Sequence, residues 1–173
     1  MMAGYGDKPF GIRDIKLTPL PSGSQIDLPV AMKLAFKERL VTAELHGDDA
    51  LVSVQSNTDA VEWELEAGGI PLEAYALMTG RSVAVSGTTP TEDTTLTANS
   101  GDVMPWFKIY GKAVDGDGDI HVKISKAKLN APIEGEFVDG GFYVTKCSGL
   151  AVDDGTNLYE MVQNETAAAL PGT

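Results

Sequence analysis

Between Val61 and Gly80 the pattern of apolar and polar positions changes its period. From Val61 to Glu66 it alternates without a break, with Val61, Trp63 and Leu65 on one side and Glu62, Glu64 and Glu66 on the other. That is the period of a half-buried strand with one wet, acidic face. Gly68-Gly69 interrupts the strand, and Pro71 suits a first helical position, where its missing N–H costs nothing. Leu72, Tyr75 and Met78 then recur at helical spacing, and Gly80 can take the left-handed conformation that closes a helix. A short helix over about residues 71–79 is predicted.

The flanking sequence reads as strand. Ile12–Leu20 alternates weakly and stops at Pro19 and Pro21, and Ile26–Leu28 makes a second small strand. Met32, Phe36 and Leu40 have helical spacing, but the β-branched run that follows and the turn residues His46-Gly47-Asp48-Asp49 favour a long hairpin into Leu51–Val54. Val52 and Val54 are even-numbered while the apolar positions from Val61 are odd, so a bulge or loop is expected within Ser56–Asp59. Ser82–Val85 is strand-like. Ser86–Asp102 is a threonine-rich polar stretch, predicted as an extended loop with one β segment at Thr94–Ala98. Its two readings are a floppy insertion and an arm that orders on a neighbour. Trp106–Val114, Ile120–Leu129, Ile133–Val138 and Phe142–Val152 are predicted strands, with Asp139-Gly140-Gly141 as a hairpin turn, and Leu158–Val162 closes the series. The expected architecture is mainly β, a β-sandwich or barrel with one short α-helix and extended loops. It is read as one domain over 1–173, with an N-terminal arm at about 1–11, the polar loop at about 86–102 and a tail at about 164–173. Trp63, Tyr75, Met78, Trp106 and Phe107 are expected in the core.

Composition narrows the classes of function. The chain has 173 residues, 43% of them apolar, and no apolar run near the length needed to span a bilayer. The opening MMAGYGDKPFG lacks the charged-then-apolar layout of a signal peptide, so export by the usual route is not expected. Twenty-five acidic against 13 basic residues give a net charge of −12, which argues against gripping nucleic acid. It does not argue against letting DNA slide past. Cys147 is the only cysteine, on a strand-like run without a basic partner, and reads as a buried inert thiol. His46 and His121 have no neighbouring His or Cys at metal spacing. Asp115-Gly-Asp117-Gly-Asp119 begins like a calcium loop, but Ile120 and Lys126 stand where such a loop needs Gly and Glu, so a turn is expected. Glu62, Glu64 and Glu66 could supply a carboxylate pair for glycoside chemistry, yet same-face positions on one strand more often form a solvated surface. No enzyme, cofactor or metal site is expected.

The blocks ELHGDDALVSV, ELEAGGIPLEAYALMTGRSV, MPWFKIYGKAV, HVKISKAKL and DDGTNLYEMVQNETA, in this order and spacing, resemble the tail tube (major tail) proteins of long-tailed bacteriophages. The resemblance covers most of Leu34–Leu170 and rests on order and spacing, since no block carries chemistry of its own. It implies a β-sandwich or barrel-like subunit with a helix beside it, six to a ring, the rings stacked into a hollow tube through which the genome leaves the capsid. The implied partners are further copies of the chain and the tape-measure, tail-tip and terminator proteins, with DNA passing through the lumen without specific binding and no membrane. The implied location is the virion tail, after synthesis in the bacterial cytoplasm. Under this reading Glu62, Glu64 and Glu66, with Glu38 and Glu44 on the partner strand, are assigned to an acidic lumen wall, the alternative being an outward face. His46, Asp48 and Asp49 at the hairpin tip, with Thr88, Thr91 and Thr94 in the polar loop, are candidate contacts between rings or subunits. Two alternatives stand beside it: a tail terminator or secretion-tube protein on the same fold, and a monomeric β-sandwich module binding carbohydrate or another surface ligand.

Overall fold

The structure, a computed structural model, describes residues 10–48 and 50–171, and of Asp115 the backbone alone. In chain order the elements are β1 (Phe10–Pro19), β2 (Ile26–Asp27), β3 (Ala31–Gly47), β4 (Ala50–Ala67), α1 (Leu72–Thr79), β5 (Ser82–Ser86) and β6 (Asp93–Thr97). They continue with β7 (Phe107–Asp115), β8 (Gly118–Leu129), β9 (Glu134–Gly135), β10 (Thr145–Ala151) and β11 (Tyr159–Asn164). The fold is mainly β and sandwich-like, with one short helix, as expected. A nine-stranded sheet runs β2-β1-β7-β8-β10-β4-β3, with β11 added to β8 and β9 to β10, and β5 and β6 form a separate ribbon. All pairs are antiparallel.

The sheet folds over so that β3 packs against β1, with its Leu34 side chain reaching β7. A Cβ at Gly111 of β7 would come within 2.5 Å of the Leu34 Cδ2 methyl on β3, so the glycine leaves room for that side chain between the layers. Between the layers lie Ile15 and Leu17 of β1, Val61, Trp63 and Leu65 of β4, Phe107 and Ile109 of β7, and Ile124 and Ala127 of β8. Trp63 meets Phe107 edge-on with ring centroids 5.7 Å apart. Gly149 on β10 admits the indole: a Cβ there would lie 2.6 Å from Trp63 Cζ2 and 2.0 Å from the Lys128 carbonyl oxygen. Cys147 is buried beside Leu65 and Met78, and burial pushes its thiol up to about 12.

The helix forms at the expected place with Gly80 left-handed behind it, but Pro71 stands one position earlier than expected, as the N-cap. Its buried residues are Ala74, Met78 and Thr79, while Leu72 is exposed and Tyr75 half-buried. The face that meets the sheet is therefore the i, i+4 pair 74/78, rotated from the stripe that the large side chains suggest. Trp106 is likewise half-buried. The predicted strand Ile133–Val138 shrinks to two residues, and residues 136–144 form a wide loop where a tight hairpin was expected. The polar stretch after Ser86 is an ordered ribbon, with Thr94 opposite Val85, and its base is tied by Arg81 to Asp102 at 3.5 Å. The expected N-terminal arm lies outside the described residues apart from Phe10 and Gly11, which open β1.

Candidate functional site

The dominant surface feature is the far half of the β3–β4 hairpin. β10 pairs with β4 only from Val61 to Ala67, and β4 is the partner of β3 along its whole length. From Arg39 to Ala60 the hairpin is therefore a two-stranded arm leaving the sheet, about 30 Å long at the rise of a β-strand. At its base Arg39 pairs with Ala60 but Leu40 with Thr58, so Asp59 is the extra residue of a bulge, within the window expected from the change of parity. Asp59 accepts two hydrogen bonds from the Arg39 guanidinium, at 3.0 and 2.7 Å, and these hold its carboxyl below the usual range. The tip turns through Asp48, whose φ of 48° is left-handed.

Leu40, Val41, Leu45, Leu51, Val52 and Val54 on this arm are each between 51% and 64% exposed. Leu40, Leu51 and Val54 share one face with Thr42, Glu44 and His46, while Val41 and Leu45 lie on the other. Both faces thus carry apolar side chains, and neither strand has an outer partner among the described residues. A two-stranded ribbon of this kind is marginal alone and its edges invite pairing. The pattern of six exposed Leu and Val was present in the sequence, but it reads there as ordinary strand alternation.

The register divides the five glutamates assigned to a single wall. Lys33, Ala35 and Lys37 stand opposite Glu66, Glu64 and Glu62, whereas Glu38 stands opposite the core residue Val61. Glu38 and Glu44 therefore lie on the face opposite to Glu62, Glu64 and Glu66, and one sheet face cannot hold all five. The face of Glu62, Glu64 and Glu66 is not purely acidic either. Lys33 lies 2.9 Å from Glu64 and 3.8 Å from Glu66, and Lys146 of β10 is 3.7 Å from Glu66. Glu38 instead accepts from Thr58 at 3.3 Å and from the Tyr159 hydroxyl, which it holds protonated to higher pH. Glu44 lies 3.2 Å from His46 Nε2.

His46 and Asp48 sit at the arm tip, exposed, while Asp49 lies outside the described residues. Thr88 and Thr91 form the turn before β6, where the Thr91 N–H and hydroxyl donate to the Thr88 carbonyl, and all three candidate threonines are exposed. The candidates thus fall on two separate ribbons. A cavity of about 590 Å³ opens where β3, β4 and β10 meet, lined by Phe36, Trp63, Ala131 and Pro132 with Glu62, Glu64, Lys37 and Lys146 at its sides. The Trp63 Nε1–H on its wall is buried without an acceptor among the described residues.

The segment resembling a calcium loop is a turn between β7 and β8. Asp119 there is fully buried and lies 3.0 Å from Lys112 Nζ and 3.2 Å from His121 Nε2, and it accepts from Asn164 Nδ2 and the Ala168 N–H at 2.7 Å each. Burial alone would raise its pKa, but the donors from Asn164, Lys112, Ala168 and His121 outweigh it and hold the carboxyl far below the usual range. This cluster fastens the C-terminal tail, whose Leu170 is also buried, and leaves Asp119 no freedom to bind a cation. No three His, Cys, Asp or Glu among the described residues are grouped to hold a metal. No helix among them is long and apolar enough to cross a membrane. Neither the known family models nor the curated proteins include a match to this chain.

Proposed function

We propose that this chain is the structural subunit of a bacteriophage tail tube, self-assembling into stacked hexameric rings that form a hollow conduit for genome ejection. The observation that carries the reading is the bare β3–β4 arm. Its six half-exposed Leu and Val side chains and unpaired strand edges require a partner, and a further copy of the same chain can supply one at every position of a repeating assembly. The resemblance of the sequence blocks to tail tube proteins supplies the kind of assembly and its partners: tape-measure, tail-tip and terminator proteins.

The net charge of −12 favours passage of DNA without binding. Around Glu62, Glu64 and Glu66 the lysines face carboxylates, so this face presents no cluster of uncompensated cations to phosphate. A lumen wall built on it is nearly charge-balanced, and a wall built on Glu38 and Glu44 is a different face. Negative-stain electron microscopy of the purified protein over a range of concentrations tests the reading. Hollow tubes or six-fold rings are expected. A uniform monomer at every concentration, even with a tail-tip complex supplied, would overturn it. The cavity beside Trp63, with its unpartnered indole N–H, would then be the site of the alternative ligand-binding module.

A further inference from the structure

We propose that the acidic, aromatic-tipped loop between β9 and β10 of one copy seats on the lysine-framed Trp106 of the next copy. The inference rests on the assembly reading above and names a second contact, away from the arm.

The loop spans residues 136–144. Phe137 is 89% exposed and Phe142 is 96% exposed, so two phenyl rings stand almost wholly in water. The loop is nevertheless built. Its tip is a turn closed by the Gly141 N–H on the Val138 carbonyl at 3.1 Å, with Gly140 at a left-handed φ of 75°. Phe137 stacks on Tyr143 with centroids 4.6 Å apart, and Tyr143 rests on Gly135, where a Cβ would lie 2.2 Å from its hydroxyl oxygen. From Glu134 to Val144 the charges are Glu134, Glu136 and Asp139, with no basic residue among them.

The complementary surface lies on β7 and β8. The Lys126 and Lys128 ammonium groups sit 5.1 and 5.2 Å from the centroid of the Trp106 ring. Two other lysines of these strands are ion-paired, Lys112 to Asp119 and Lys123 to Glu160. Lys108 acts with Lys123 on the Asp154 carboxylate, whereas Lys126 and Lys128 have no carboxylate within ion-pair distance among the described residues. Two cations without a paired carboxylate over one half-buried indole stand out in a chain of net charge −12. Loop and platform are opposite in sign and both aromatic. The cavity beside Trp63 is a poorer seat, because Glu62, Glu64 and Glu134 on its wall offset Lys37 and Lys146.

The two surfaces occupy different places on the subunit. Leu150 of β10 pairs with Lys128, and the loop rejoins β10 at Thr145, about 16 Å back along the strand. In a ring or a stack of rings contact between such patches is head-to-tail, and head-to-tail contacts close into rings or continue as filaments. A half-buried tryptophan between lysines is also the makeup of a surface that grips nucleic acid strands. A conduit for DNA has reason to keep it covered.

Cysteine cross-linking in assembled protein tests the contact, and the single native Cys147 is buried and unreactive enough to leave in place. Chains carrying Asp139→Cys are mixed with chains carrying Lys126→Cys, assembled and mildly oxidised. A disulfide-linked dimer confined to the mixture is expected, and a ladder of higher species when both substitutions share one chain. Phe137→Ser with Phe142→Ser should raise the concentration for half-assembly by about a hundredfold. Both side chains are exposed in the monomer, so this variant folds. Lys126→Glu with Lys128→Glu should block assembly, and Glu136→Lys with Asp139→Lys on the same chain should restore it. Tubes or rings that form without cross-linking in the mixture, or a double serine variant that assembles at the wild-type concentration, would overturn this contact while leaving the assembly reading intact. An intrachain disulfide in dilute monomer would overturn it too. Wild-type protein that never assembles would overturn both.

Discussion

Replacing Leu40, Leu45 and Val52 together by serine should weaken assembly strongly and leave the isolated subunit nearly as stable as before. Full burial of a Leu or Val side chain is worth about 1.5–3 kcal/mol, and each of these positions is already about half-covered in the monomer. About 1 kcal/mol per side chain therefore remains to be gained on assembly, roughly 6 kcal/mol for the six residues of one arm. Removing three of them forfeits about 3 kcal/mol, which corresponds to roughly a hundredfold rise in the concentration at which half the chains are assembled. Stability of the monomer should change by about 0.5 kcal/mol or less per site, since the arm adds little to the core. Light scattering or sedimentation against concentration reads the first effect, and urea unfolding of the dilute monomer reads the second. Assembly at the wild-type concentration would refute the reasoning, because the exposed apolar arm would then have no partner to lose. A loss of several kcal/mol in the dilute monomer would refute it differently, by showing that the arm supports its own chain.

Asp119→Ala should destabilise the fold by about 3 kcal/mol, because it leaves Lys112 and the Ala168 N–H without their buried partner. Hydrogen exchange should show the tail after Asn164 released first. The folded-state pKa of Asp119 is depressed, so its contribution is present above its ordinary value of 3.8 and lost as pH falls below it. Unfolding midpoints should therefore drop between about pH 4 and pH 2, and Asp119→Asn should flatten that slope. Gly149→Ala should cost about 2 kcal/mol by urea unfolding, since the new methyl meets the Lys128 carbonyl and the Trp63 ring. Cys147, raised to about 12 by burial, should resist a thiol reagent at neutral pH until denaturant is added.

Signals that arise within one strand or one turn are legible in the sequence. Val61–Leu65 alternates because one strand face meets the core, and that signal needs no knowledge of the partner strands. The parity change before Val61 places a bulge or loop within Ser56–Asp59, where the structure has Asp59 as the extra residue, and Gly80 marks the end of the helix. The signals that failed were those that depend on register or on a distant covering element. Nothing near Glu62 in the sequence shows that Lys33 and Lys146 come to stand beside the glutamate row, since these contacts arise from pairing with β3 and β10. Glu38 looked equivalent to Glu62 until the register put Lys37 opposite Glu62 and Val61 opposite Glu38. Phe137 and Phe142 read as strand residues flanking a tight turn, but both lie in a loop and are exposed. Asp119 resembled one more turn aspartate because the tail that buries it arrives 45 residues later in the chain, at Asn164.

The Asp59 bulge also makes the arm an adjustable part. It joins two ribbons of opposite parity, so the outer one from Leu40 to Leu45 is set in phase at this joint, and a second register shift at Val52 sets the tip. Adding two residues to each strand beyond that joint would lengthen the arm by about 7 Å with every side chain kept on its face. Adding one to each would keep the pairing but turn the face of Leu40 and Val54 over to the opposite side. Reach can thus be varied in even steps without redesigning the body of the subunit, and odd steps exchange which surface the arm presents to whatever it meets.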